Sequence, residues 1–210
     1  MPTARTYHHG NLREALLKAA LGLVRKAGPQ GFTLREAARR AGVSHNAPYR
    51  HFKSRDELLA EVAAEGFERL TKFMEQSAAQ GASPLERSQL SGRGYVRFAL
   101  QYPEHFAVMF DHPGLAQASA HCGEASGQAF MALLGYVRDC QEVGALPAGD
   151  PQMLALMAWS VVHGVSKLAV SGHLPFSSQG DVLEFAASLI STLGTGMTRS
   201  AATGAPEQTL

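Results

Sequence analysis

Apolar residues recur at steps of three and four along most of the chain, the spacing of one face of an α-helix. In NLREALLKAALGLVRKAG, Leu12, Leu16, Ala19, Ala20 and Leu23 keep that period. Arg25 and Lys26 close the last turn and Gly28 offers a left-handed stop. Thr33 to Glu36 reads as a capping box, followed by the apolar face Leu34, Ala37, Ala38 and Ala41, with Gly42 ending the helix. Ser54 with Glu57 repeats the device and opens a longer helix through about Gln76. Ser83 with Glu86 does so again, with Pro84 at the first helical position. YPEHFAVMFD predicts a short helix begun by Pro103, and a longer one is expected from about Ala118 to Val143. Asp150 and Pro151 start an apolar helix to about Ser171, HLPFSSQG is a loop, and a last helix runs from Asp181 to about Met197. Strand signals are scarce and no internal repeat is found, so the predicted class is all-α.

Between the helix ending at Ala41 and the segment around Asn46 to Phe52 lies only Gly42–Val43–Ser44. Two short helices joined by such a glycine turn form a helix-turn-helix. Ala38 is small where the second helix would cross, and Val43 and Phe52 are expected to pin it to the core. Ser44, His45, Asn46, Tyr49, Arg50 and His51 are then left to face outwards. A helix of this kind fits the major groove of DNA. Pro48 is compatible with it in the first turn, where a missing N–H costs no intrahelical bond, so the second helix is expected to be short.

Charge sharpens this picture only when split by position. The formal net charge is +1, yet Met1 to Arg55 holds eleven Lys/Arg against two acids, Glu14 and Glu36, and the remainder eight against sixteen. A basic front and an acidic rear suggest two parts, the first facing a polyanion. Cys122 and Cys140 are the only cysteines and form no C-x-x-C pair, so neither a disulfide framework nor a structural zinc site is indicated. The first residues lack a signal-peptide core. The apolar window MLALMAWSVVHGVSKLAV approaches membrane-span length but carries His163, Gly164 and Lys167, and suits a helix buried inside the protein or at a partner surface. A cytoplasmic protein without a membrane span is expected.

Residues Tyr7 to about Phe67 resemble the N-terminal domain of the TetR family of bacterial transcriptional regulators. The run FTLREAARRAGVSHNAPYRHFKSRDELL carries the resemblance: a capped second helix, A-x-x-x-G-V-S, Y-x-H-F, and a capped start to the next helix. Arg55 stands where that family often has lysine, and Pro48 where an aliphatic residue is more usual. The resemblance implies a three-helix helix-turn-helix head, a homodimer on a palindromic operator in double-stranded DNA, transcriptional repression, and association with the bacterial nucleoid. Within this frame Tyr49, His51, Lys53 and Arg55 are candidates for phosphate contacts, with Thr33 adding its hydroxyl or backbone N–H. His45, Asn46 and Arg50 are candidates for base edges, and Ser44 faces the same way. His51 equally suits a packed or capping histidine.

The expected division is a head over 1–55, a helical effector-binding and dimerisation domain over 56–197, and a small, polar, disordered tail over 198–210. The last two long helices are apolar over wide faces, through Leu154, Met157, Trp159, Val161, Val162, Val165 and Leu168, then Val182, Phe185, Leu189, Ile190 and Leu193. Two such helices from each of two chains would form a four-helix bundle, while the same faces also suit a monomer core. Trp159 and His163–Gly164 resemble the Trp-His-Gly type of TetR C-terminal domain. Phe98, Tyr102, Phe106, Met109, Phe110 and Trp159 would line a mostly apolar cavity for a small apolar or amphipathic effector, with His163 as polar handle; they equally suit plain core. His105, His112, His121 and Cys122 raise the question of metal or haem, but their spacing matches no ligand pattern. No catalytic, metal-binding or cofactor set is assigned, and no enzymatic motif such as G-x-S-x-G or a P-loop is present. The alternatives are a dimeric DNA-binding protein without an effector, and an enzyme using the rear cavity.

Overall fold

The computed structural model describes residues 9–203, and these are helical throughout, with no strand among them. Tyr7 and residues 204–210 lie outside the described residues. The helices are α1 (His9–Ala27), α2 (Leu34–Arg40), α3 (Arg55–Ala78), α4 (Pro84–Gln101), α5 (Pro103–Asp111), α6 (Leu115–Ala118), α7 (Ala120–Glu142), α8 (Pro151–Val170) and α9 (Gln179–Thr203), with a 3-10 turn at Ala47–Arg50. Contacts divide the chain into two compact units. One comprises residues up to Glu68 together with Glu104–Ser126; the other comprises Arg69–Pro103 together with residues from Gly127 on.

Local sequence chemistry sets the helix starts. Thr33 Oγ1 accepts from the Glu36 N–H at 3.2 Å while the Glu36 carboxylate accepts from the Thr33 N–H at 2.7 Å, and Ser83 and Glu86 repeat that box. At α3 the box is offset: Ser54 Oγ accepts from the Glu57 N–H, but the Glu57 carboxylate reaches back to the Lys53 N–H rather than to Ser54. Ser178 and Asp181 form a further reciprocal pair, so α9 starts at Gln179, two residues before the expected Asp181. Its far end also differs. Between Met197 and Thr203 there is neither Gly nor Pro, and the helix continues through the first residues of the expected tail. The single helix expected from about Ala118 is broken at Ser119, whose extended backbone (φ −146°, ψ 129°) lets its hydroxyl donate to Glu61 at 2.8 Å.

The first unit is centred on the apolar face of α1 and α2. Leu16, Ala20, Ala37 and Ala38 are fully buried there, joined by Phe32, Phe52, Leu58 and Leu59. In the second unit α4 packs on α8 and α9, which also pack on each other, and Leu134 and Val137 of α7 cluster with Ala155 of α8. Gly94 marks a close approach of α3 and α4, since a Cβ there would stand 2.4 Å from the Phe73 carbonyl oxygen.

Acids and bases within the first unit tie α5 and α7 to α1 and α3. Arg25 meets Glu104 at 2.5 Å. His121 Nδ1 lies 3.1 Å from Glu61 and Nε2 2.9 Å from Glu68, while Glu61 also pairs with Arg13. An imidazole facing a carboxylate at each nitrogen is suited to its doubly protonated form. The bonds to Glu68 and then Glu61 accordingly hold the His121 pKa above its ordinary 6.5. Burial pushes Glu61 upwards, but bonds from His121 and Ser119 and the charges of Arg13 and His121 outweigh it, so that its pKa falls below 4.5. His121 therefore stabilises fully below about pH 6.5 and loses that contribution as pH rises through its raised folded value. Glu61 stabilises above about pH 4.5 and loses its contribution as pH falls through its depressed one. Thermal melts of wild type and His121→Gln across pH 5–9 should show the largest gap at the acid end, closing towards pH 9. A gap independent of pH would discard the ionic account.

Candidate nucleic-acid interface

The second element of the helix-turn-helix is one 3-10 turn, too short to hold itself by backbone bonds. The N–H groups of His51 and Phe52 both donate to the Pro48 carbonyl at 2.9 Å. Pro48 and Phe52 are buried, whereas Val43, expected to share the anchoring, is half-buried. Burial of a phenylalanine side chain contributes about 1.5–3 kcal/mol, so the turn is fixed chiefly by its underside. Gly42 has φ +73°, which permits the reversal from α2 into this turn without strain.

The upper side is polar. Ser44, His45, Asn46, Arg50 and Lys53 are exposed, Tyr49 is 50 % exposed, and Asn46 makes no capping bond with its side chain. Thr33, Tyr49, Lys53 and Arg55 come together around one shallow open depression, which Asp56 also borders. The other candidates stand differently. Both donors of Thr33 are already held by Glu36, its hydroxyl at 3.0 Å and its N–H at 2.7 Å. His51 is half-buried, with a buried Nε2 lacking a partner among the described residues. Arg55 is turned inwards: its guanidinium donates to the Gln30 carbonyl at 3.2 Å, to Asp56 at 3.0 Å, and lies 3.4 Å from His112 Nε2. Sequence reasoning missed this role, because Gln30 and His112 lie far from Arg55 along the chain and carry no mutual signal.

The apolar cavity also differs from expectation. It lies in the second unit, with walls that include Leu133, Val137, Leu154, Val162 and Ile190 and a polar strip of Ser88, Ser91 and Tyr95 along α4. None of the expected lining residues borders it. Phe98 and Tyr102 stack on each other beside Phe73, and Trp159 and His163 both bond to the Tyr95 hydroxyl. Phe106, Met109 and Phe110 belong to the first unit, where Phe106 packs on Phe110 and Phe110 on Phe67. Of the histidines considered for a metal, His112 sits beside Asp56 and Arg55 and His121 between two glutamates, while Cys122 is buried.

A basic helix-turn-helix on one unit and a helical body in the other define a class of DNA-binding regulators. Family comparison makes this specific. Residues 16–62 match the model of bacterial regulatory proteins of the tetR family, and residues 89–193 match that of the tetracyclin repressor-like C-terminal domain. The chain therefore belongs to the TetR family and is a DNA-binding transcriptional regulator. A protein of unknown function from Rhodococcus sp. RHA1 is 34 % identical, with 93 % of this chain and 100 % of that one aligned at a TM-score of 0.78. The TetR family regulator PfmR from Thermus thermophilus shares the fold at 19 % identity, 86 % and 97 % coverage and a TM-score of 0.66. FadR from Bacillus subtilis, solved in complex with stearoyl-CoA, shares it at 16 % identity, 87 % and 98 % coverage and a TM-score of 0.73. No curated protein sequence matches the chain.

The inward set of Arg55 gives a direct expectation. Lysine keeps the charge but cannot reproduce the forked bonds to Gln30, Asp56 and His112, so Arg55→Lys should destabilise by about 1–2 kcal/mol. Arg50→Lys, on an exposed guanidinium, should be neutral within about 0.5 kcal/mol. Urea denaturation of the two variants measures both.

Proposed function

We propose that the protein is a ligand-responsive repressor that binds a palindromic operator as a homodimer, acting in the cytoplasm on nucleoid DNA by binding rather than catalysis. The observation that carries the proposal is the exposed turn from Ser44 to Lys53, polar above and anchored beneath by Pro48 and Phe52. In this reading Tyr49 and Lys53 hold phosphate and His45, Asn46 and Arg50 meet base edges, with Ser44 beside them. Thr33, His51 and Arg55 take part less directly, since each is engaged or partly buried.

A second copy is supported by α8. It is the one helix among the described residues long and apolar enough to cross a membrane, yet only 22 % of that window is buried. Met153, Leu156, Met157 and Leu168 lie open to solvent on it, and a Cβ added at Gly164 meets nothing within 4 Å. A largely apolar stripe of this kind, with Lys167 near its end and room for close helix approach, suits the same stripe on a two-fold-related chain. Two heads so paired would address successive major grooves about 34–36 Å apart. The cavity supports a ligand, as does the stearoyl-CoA bound by FadR on the same fold. The α3 helix contributes residues to both units and is the natural element to transmit its effect.

Titration of labelled operator and scrambled duplexes separates the assigned roles. Lys53→Ala should weaken both duplexes alike and reduce the salt slope by about one. Asn46→Ala should instead remove about 1–3 kcal/mol of discrimination while leaving scrambled DNA unaffected. Equal loss of selectivity in both variants would reject the assignment. For the dimer, Met157→Glu should sediment as a monomer, retain its helical circular dichroism, and lose operator affinity.

A further inference from the structure

We propose that the cavity of the second unit is a seat for a small, uncharged, largely apolar molecule whose one hydrogen-bonding group meets the hydroxyl of Ser91, an inference that rests on the ligand-responsive reading above. Ser91 is fully buried and borders the cavity, and its Oγ has no partner among the described residues. That is unusual for a serine inside a helix, which ordinarily bonds back to a carbonyl one turn earlier. Ser77 does so to Phe73 at 2.8 Å, Ser160 to Leu156 at 2.7 Å and Ser166 to Val162 at 2.7 Å. The Ser91 hydroxyl is therefore a buried polar group left without a partner among the described residues, and a guest with a hydroxyl or carbonyl would supply one.

The other polar groups along the α4 strip are already committed. Tyr95 accepts from Trp159 Nε1 at 3.1 Å and is hydrogen-bonded to His163 Nδ1 at 2.9 Å, and Ser88 bonds to the Cys140 thiol. Burial raises the Tyr95 pKa, so its phenol remains neutral and cannot balance a cationic guest. Half-buried Gln89 adds an amide, but among the described residues no Asp, Glu, Lys, Arg or His borders the cavity. A carboxylate or ammonium entering it would lose hydration with no opposite charge to receive it. Size sets a second limit. The cavity offers about 60 Å³, against the ~10–15 Å³ that one water requires, so only a few heavy atoms fit. An acyl-CoA lies far outside these limits in charge and in bulk.

Titration of the full-length protein with 1-butanol, butanoate and butylammonium, followed by methyl NMR, tests the inference. Butanol should shift the methyl signals of Leu133, Val162 and Ile190 saturably, while the two ions should not. Ser91→Ala should weaken butanol about tenfold, and Ala158→Phe, which fills the cavity from α8, should abolish the shifts with the remaining methyl spectrum intact. Butanoate binding as tightly as butanol, unchanged affinity in Ser91→Ala, or shifts that fail to saturate would each overturn the proposal. The ligand-responsive reading is judged separately. If saturating butanol leaves operator affinity unaltered, that reading fails for this guest while the seat stands.

Discussion

The reading head depends on two side chains facing the wrong way for DNA. A single 3-10 turn closed onto the carbonyl of Pro48 has almost no stability of its own, since isolated helical nuclei are unfavourable. Burial of Pro48 and Phe52 removes the turn's freedom to roll, and every outward polar side chain between Ser44 and Lys53 inherits its position from that pair. Proline suits the task. It supplies an aliphatic surface, fixes φ in advance, and lacks an N–H that the short turn could not have satisfied. What looks in the sequence like a departure from an aliphatic position is, in the fold, another way of filling it.

The first unit does not end where the charge changes sign. Residues of α5, α6 and the start of α7 join it, through Arg25 with Glu104, His121 with Glu61 and Glu68, and Arg55 with His112. Most of these contacts are polar and partly exposed, so each contributes modestly and is open to solvent conditions. They surround an apolar seam in which Phe110 packs on Phe67, and Phe106, Val108 and Leu115 are buried. Arg55 shows the consequence at one residue: it borders the depression beside Tyr49 and Lys53, yet its guanidinium is occupied by Gln30, Asp56 and His112.

Local chemistry was legible in the sequence, and distant pairing was not. Thr33 with Glu36 and Ser83 with Glu86 lie within one turn of each other, and their boxes form as the spacing predicts. The glycine stop at Gly42 and the brevity of the following turn follow from backbone constraints of one or two residues. The break at Ser119 was invisible because its cause, Glu61, lies 58 positions away. The lining of the cavity in the second unit was illegible for a related reason. Large aromatics advertise burial, and Phe98 and Phe106 are indeed buried, but a void is defined by what fails to fill it. Here those residues are small or branched: Gly92, Ala158, Val162 and Ser91 leave the space that larger neighbours would close.

The α8 helix connects the two proposals that concern the second unit. Its residues Leu154, Ala158, Val161 and Val162 border the cavity, while Met153, Leu156, Met157 and Leu168 face outwards along the same helix. Close-packed helices move as bodies rather than deform side chain by side chain. A guest that fills the cavity and presses on Val162 would therefore bear on the helix that carries the outer stripe. With a second copy seated there, a displacement would alter the spacing of the paired heads, and the coupling need reach only the roughly 1–3 kcal/mol typical of such systems. Ser91 stands across the cavity on α4, a helix packed against both α8 and α9. The hydrogen bond would then hold the guest on α4, with its apolar remainder against Val162 of α8.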